Sequence, residues 1–342
     1  MLIAPFLGSS LSPQQAARRR LLATAAFLPA ACWLGPARAA QGDLTEFTFT
    51  MGVNTVPGTA LIDATAQDLG LWRKHGLKPV VPPPLGGGDR RTWSPGEENH
   101  SDVRLYGMGA TINYLSKGVD FVIVADLGTR AEWHMWSMAD RPVDARQLKG
   151  KRFAVTQLSG TDRLYVDLFL KSLGVSQDDV TLVPTGGVPQ NYQALRSGQA
   201  DIWVTTEHAA ILIDREQRLQ SVARISDFVG KDWDPYVIVA KRRTLAERPA
   251  LVKEAVATIL EAVRHIDQAP RQENVARLMQ RFKVNEAVAG RLLSTVSLNP
   301  TGKIKLSTIE KMRNHYVDTG VIKRDALPID AIFDASVVGT VA

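Results

Sequence analysis

The sequence predicts an α/β protein: mostly parallel sheets covered by helices, arranged as two lobes around a central cleft with a hinge. Three observations carry this. Short apolar runs of strand length alternate with segments of helical spacing from residue 46 onward. The pattern starts afresh at Lys149 and runs a second time. Extended segments, "EWHMWSM" and "YVIVAK", join the two runs.

The first 39 residues stand outside this pattern. Arg18, Arg19 and Arg20 precede an apolar run from Leu21 to Leu34, and Ala37-Arg38-Ala39 forms a small-x-small site. This layout predicts a cleavable export signal over 1–39, with the arginines followed by leucines in the manner of the twin-arginine route. The apolar run is short for a bilayer and is broken by Pro29. The 342-residue chain carries a formal +6, but residues 1–39 hold four arginines and no acid, so the rest is only +2. No later stretch interleaves Lys and Arg with aromatics, which argues against a nucleic-acid face. The single cysteine, Cys32, falls in the signal. "LPAAC" loosely matches a lipid-attachment site, although Pro29 stands where an aliphatic residue is wanted, and the lipoprotein reading is the lesser one. Without Cys32 the mature chain has neither disulfide nor thiol chemistry.

The elements follow in order. "EFTFTMGV" (46–53) alternates as a strand, and 58–76 keeps helical spacing through Leu61, Ala64, Leu69 and Trp72 to Gly76. "LKPVVPP" is a strand stopped by prolines, and "LGGGDRRTWSPGEENHS" has the composition of a loop. "DVRLYGMG" and "VDFVIVADLG" are strands flanking the short helix "ATINYLSKG". In the second run, "RFAVTQL", "VTLVPTGG" and "ADIWVTT" are strands, and "TDRLYVDLFLKSLG" and "VPQNYQALRSG" are helices between them. "SVARI" is an edge strand and "YVIVAK" (236–241) a fully apolar one. "PALVKEAVATILEAVRHIDQ", "NEAVAGRLLST" and "LSTIEKMRNHYVDTG" make a helical tail.

In open α/β sheets a ligand sits beyond the carboxyl ends of the strands. That assigns five loops to the cleft: 54–58, 107–111, 157–162, 184–189 and 205–209, all rich in small or hydroxylated residues. Ser159, Gly160 and Thr161 lead from a strand into a helix, where unpaired N–H groups and the helix dipole attract an anion. A plain N-cap uses the same donors. Asp162 suits the dipole, and Arg163 suits a solvated face. Glu207 and His208 follow a strand end, and a carboxylate beside an imidazole leaves both anionic and cationic ligands open. Trp72, Trp133, Trp136 and Trp203 read as packing residues. Trp93 and Trp233 lie in polar loops, where an exposed indole suits a ligand platform or lid. The six histidines show no ligand spacing, and dinucleotide, P-loop and G-x-S-x-G patterns are missing, so no metal, cofactor or catalytic group is expected.

Four stretches then carry a resemblance: "AQDLGLWRKHGLKPVV", "LKGKRFAVTQLSGTDRLYVDLFLKSLGV", "YQALRSGQADIWV" and "YVIVAKRRTLAERPALVKEAVATILEAV". In order and spacing they resemble the periplasmic solute-binding proteins of ABC importers for nitrate, sulfonates, taurine and thiamine pyrimidine precursors. The resemblance implies a type II periplasmic-binding-protein fold, with one lobe formed by 43–135 plus 238–342 and the other by 136–237. It also implies ligand capture by lobe closure and delivery to a membrane permease and its ATPase. A related eukaryotic pyrimidine synthase shares the fold but uses a cysteine-rich iron motif, which is missing here. The chain departs from the family over 86–101, assigning Trp93, Asn99 and His100 to an altered loop over the cleft.

The expectation is a periplasmic, monomeric solute receptor that closes on a small polar organic molecule bearing a sulfonate, carboxylate or similar group. Ser159, Gly160 and Thr161 would hold the acidic head, and Thr55, Gly58 and Thr111 would contact it from the other lobe. Glu207, His208 and Trp233 complete the site, the last two setting selectivity, and the strands entering Trp133 and Tyr236 act as hinges. The alternatives are an enzyme on this fold, a lyase or pyrimidine-precursor synthase using Glu207 or Asp162 as base, and a sensor for a membrane partner.

Overall fold

The computed structural model describes residues 43–51, 56–80, 101–128, 132–158, 161–230, 233 and 235–341. Five strands come from one part of the chain order and five from another. The first set is β1 (Thr45–Met51), β2 (Leu77–Val80), β3 (Val103–Gly107), β4 (Phe121–Gly128) and, much later, β10 (Tyr236–Lys241). The second is β5 (Trp133–Met138), β6 (Arg152–Val155), β7 (Thr181–Pro184), β8 (Ile202–Thr206) and β9 (Leu219–Arg224). They form two sheets, ordered β2-β1-β3-β10-β4 and β7-β6-β8-β5-β9.

The two sheets share one plan. β1 runs parallel to β2 and β3, while β10 is antiparallel to both β3 and β4. In the second sheet β6 is parallel to β7 and β8, and β5 is antiparallel to β8 and β9. The strand that enters each sheet from the other half of the chain is thus the antiparallel one. Residues 43–342 form one compact unit.

Burial follows sheet position. β10 is buried from Val237 to Ala240 because it sits between two strands, which is why "YVIVAK" reads as a continuous apolar run. The edge strands β7 and β9 are half exposed and mix polar with apolar residues. β4 ends its sheet order yet is buried along its whole length. The reason lies in the tail: Ile123 N–H donates to Ile332 O, Asp334 N–H to Ile123 O, Asp126 N–H to Gly302 O and Asn299 N–H to Leu127 O. The C-terminal segment therefore satisfies the free edge that a terminal strand would expose.

The helices pack on these sheets. α1 (Pro57–Asp68) and α2 (Leu71–Lys74) replace the single helix expected over 58–76. Gly70 adopts a left-handed conformation, φ 60°, and breaks the spacing that Leu69 and Trp72 appear to continue. Trp72 is buried against Phe47 and Phe49, with ring centroids at 5.6 and 5.2 Å. Next come α3 (Met108–Leu115), α4 (Thr161–Ser172), α5 (Val188–Ser197), α6 (Glu207–Ile213), α7 (Ser226–Val229) and α8 (Arg242–Glu247). α9 (Pro249–Gln268) buries Leu251, Val252, Ile259, Leu260, Val263 and Ile266 against the first sheet, each worth about 1.5–3 kcal/mol as apolar surface withdrawn from water. α10 (Arg271–Phe282) was not expected from the sequence; α11 (Glu286–Ser294) and α12 (Leu306–Asp318) were. Asn285 caps α11 by accepting from Val288 N–H at 3.0 Å. No helix among the described residues is long and apolar enough to cross a membrane.

Candidate functional site

Two of the loops expected at the cleft meet. Val56, Pro57, Gly58 and Thr59 at the amino end of α1, with Ile62 one turn on, line one side of a pocket. Leu127 and Gly128 at the end of β4, Tyr236 at the start of β10 and the strap Thr295–Leu298 line the rest, with His208 from α6 reaching in from beside the second sheet. An inner cavity of about 30 Å³ lies within about 400 Å³ of unfilled space that opens to solvent. Gly58 and His208 are 150 positions apart, and the fold brings them together because α11, which leads into the strap, packs on α6.

The local chemistry of this pocket is quiet. Pro57 starts α1 where a missing N–H costs nothing, and Thr59 Oγ1 donates to Val56 O at 3.0 Å. Thr295 Oγ1 donates to Leu292 O at 2.8 Å. His208 is 8% exposed, and burial pushes its pKa down to about 4, so the ring is neutral near pH 7. Its Nε2 hydrogen-bonds with Thr206 Oγ1 at 3.1 Å. Gly128 is fixed by close approach: a β-carbon there would lie 2.4 Å from Ser297 O. Thr295 and Ser297 were not singled out in the sequence, and Tyr236 was named there only as a hinge position. They come from segments distant along the chain, and no local motif marks them.

Thr55, Ser159 and Gly160 lie outside the described residues, as do Trp93, Asn99, His100 and the whole of 86–100. Thr161 is the first residue of α4. Thr111 is wholly buried in α3 and donates its hydroxyl to Gly107 O at 2.9 Å; it does not line the pocket. Glu207 opens α6 with its backbone N–H on Glu132 O at 2.9 Å, and its carboxylate stands 4.0 Å from His134 Nε2. Trp233, expected to be an exposed indole, is 8% exposed and packs edge-on to His315 at 5.6 Å. Its polar neighbours in sequence suggested a surface, whereas tertiary packing against α12 decides its burial.

The carboxyl ends of β6 and β7 hold a second polar cluster. Thr185 Oγ1 donates to Asn191 Oδ1 at 2.6 Å, and Asn191 Nδ2 donates to Thr156 Oγ1 at 3.2 Å. Asp162, also buried, accepts from Thr156 N–H and from Arg163 N–H, which ties the end of β6 to the first turn of α4. Burial pushes the Asp162 carboxyl above its usual range, opposed by these hydrogen bonds. Arg163 is engaged along its helix, with Nε on Asp167 Oδ1 at 2.8 Å. Among the described residues no group of three His, Cys, Asp or Glu is placed to hold a metal ion.

Comparison with known proteins gives the same architecture. A Brucella abortus chain described as a candidate binding protein is 26% identical over 297 residues, covering 79% of this chain and 85% of its own. The periplasmic aliphatic sulphonate binding protein SsuA of Escherichia coli superposes with a TM-score of 0.68 at 14% identity, covering 84% of this chain and 92% of its own. The periplasmic nitrate-binding protein NrtA of Synechocystis PCC 6803 does so with a TM-score of 0.63 at 13% identity, covering 85% and 86%. The desulfurization enzyme DSZB shares the fold less closely, with a TM-score of 0.57 at 16% identity over 83% of this chain and 95% of its own. A family model described as NMT1/THI5 like matches residues 61–273. The chain has the periplasmic-binding-protein fold and belongs to the NMT1/THI5-like family.

Proposed function

We propose that this protein is an extracytoplasmic solute receptor. It captures a small organic molecule with an acidic group between the two sheets and delivers it to an ABC permease and its ATPase. The observation that carries this reading is the pocket in which Gly58 and His208 meet, since a ligand touching both would be held from both sheets at once. Such a ligand favours closure only through better contacts in the closed state. The names of the relatives support a binding role, and those of SsuA and NrtA support an anionic ligand.

In this reading Ser159, Gly160 and Thr161 hold the acidic head at the amino end of α4. Thr55, Gly58 and Thr111 belong to the opposite lobe, Glu207 flanks the site, and His208 shapes selectivity. The lobes are 43–135 with 238–342 and 136–237, hinged at the segments entering Trp133 and Tyr236, and the receptor is a monomer. Export by the twin-arginine route removes residues 1–39 and leaves the protein in the periplasm.

The likeness to DSZB keeps an enzymatic reading in view, with Glu207 or Asp162 as base. Titration calorimetry with alkanesulfonates, carboxylates and nitrate, followed by mass analysis of the recovered compound, separates the two. A receptor binds one of these and returns it unchanged; an enzyme converts it. Binding of cationic aminopyrimidines alone would overturn the acidic-ligand assignment.

A further inference from the structure

The pocket beside His208 has properties that a general capture site does not require. Its apolar walls are Val56, Pro57, Ile62, Leu127, Val296 and Leu298, Tyr236 and Ser297 add neutral hydroxyls, and none of its described lining residues carries a formal charge. The hydroxyls of Thr59 and Thr295 already donate to backbone carbonyls. His208 Nε2 is engaged with Thr206. The inner cavity of about 30 Å³ exceeds the roughly 10–15 Å³ that one water-sized group needs, so it has room for a group of methyl size. An ionised group placed here would lose its hydration and find no counter-charge among the described lining residues, at a cost far above that of an apolar group.

We propose that this pocket is the blind end of the ligand site and takes one small uncharged group, of methyl size, from the end of the ligand opposite its acid. The inference rests on the receptor reading above and narrows it: selectivity is set at the uncharged end, and a zwitterion with an ammonium there is rejected. Gly58 and His208 are then specificity-determining residues. Gly58 leaves the space open, because a β-carbon on it would already lie 3.4 Å from Leu298 Cδ2 and 3.9 Å from Val296 Cγ1. A larger side chain at 58 would occupy the cavity from the α1 side.

The test uses two matched pairs against the whole purified protein in titration calorimetry: ethanesulfonate with taurine, and propionate with β-alanine. The uncharged-ended member of at least one pair should bind about tenfold or more tighter than its ammonium partner. Gly58→Val should cut affinity for that member about tenfold or more and shrink the difference within the pair, measured at a temperature where the variant is fully folded. Gly58→Ala, which meets only ordinary contacts, should act in the same direction more weakly and rules out a folding artefact. Equal binding within both pairs, or binding that Gly58→Val leaves unchanged, overturns the subsite while the receptor reading stands. If none of the four acids binds the wild-type protein at millimolar concentration while a cationic aminopyrimidine does, both fall together.

Discussion

Gly128→Ala is expected to destabilise the protein by about 2–4 kcal/mol, and the figure follows from the structure in two steps. Gly128 ends β4 with φ at +157°, a region that an L-residue occupies only at a cost of about 1–3 kcal/mol. The new β-carbon would also stand 2.4 Å from Ser297 O and 3.2 Å from Leu298 Cα. Both are backbone atoms, so no rotamer change relieves the overlap and the strap must retreat. That strap is held to β4 by Asn299 N–H on Leu127 O at 2.8 Å, a bond worth about 0.5–1.5 kcal/mol. Urea unfolding followed by tryptophan fluorescence should show a lower midpoint with an unchanged slope. Because the strap lines the pocket, ligand affinity should fall as well. A variant within about 0.5 kcal/mol of wild type would refute the argument, since surface changes alone stay inside that range. Gly58→Ala serves as the control: it lies in the first turn of a helix with room for the methyl, so stability should hold or rise slightly.

Burial pushes the imidazoles of His134, His208 and His315 down to about 4, with Arg224 adding at His134 and Lys171 at His315. Unfolding returns each to about 6.5, so stability should fall as pH drops through that window, by up to about 1.4 kcal/mol per pH unit per histidine. Calorimetric unfolding near pH 5.5 in buffers of different ionisation enthalpy should show uptake of more than one proton; none would contradict the burial of these rings. His75 behaves oppositely: burial alone would lower its pKa, but hydrogen bonds to Glu254 at 3.0 Å and Glu261 at 2.8 Å outweigh it and raise it. Its contribution is full below about pH 6.5 and lost as pH rises through the raised folded value, so the melting-temperature gap between wild type and His75→Gln should close at alkaline pH. Asp102 accepts from Thr48 N–H and Oγ1 at 2.8 and 2.9 Å and from Thr244 Oγ1 at 2.7 Å; burial would raise its pKa, yet these bonds lower it. Asp102→Asn should cost about 1–2 kcal/mol at pH 7 in urea unfolding. The gap should narrow below about pH 3.9, as the wild-type carboxylate protonates through its lowered folded value.

Much of the fold was legible because its signals are local. β4 and β10 read as apolar runs, and α9 carries apolar residues at helical spacing along most of its length. The break at Gly70 was missed because Leu69 and Trp72 keep the helical period across it, although Leu69 itself is 44% exposed. α10 was legible as well, since Val275, Leu278, Met279 and Phe282 stand at i, i+3, i+4 and i+7 and pack on the core, but this stripe went unread between two longer helical patterns. The site was less legible. Gly58 and His208 were reached from the rule that ligands lie beyond strand ends, and both do line the pocket. The strap at 295–298 follows an ordinary helix and owes its position to backbone pairing with β4, which no residue pattern announces. Asn191 sits inside α5 and joins Thr156 and Thr185 only through tertiary contact. Trp233 was misjudged for the same reason, since its partner His315 lies on α12, far along the chain.

Native mass spectrometry of the protein, incubated with each acid of the panel and then desalted, shows whether the chain holds such a ligand and releases it intact. A single adduct of one acid per chain is expected, released on denaturation with its mass unaltered. Protein that carries no adduct with any acid, or that releases a compound of changed mass, would contradict the receptor reading.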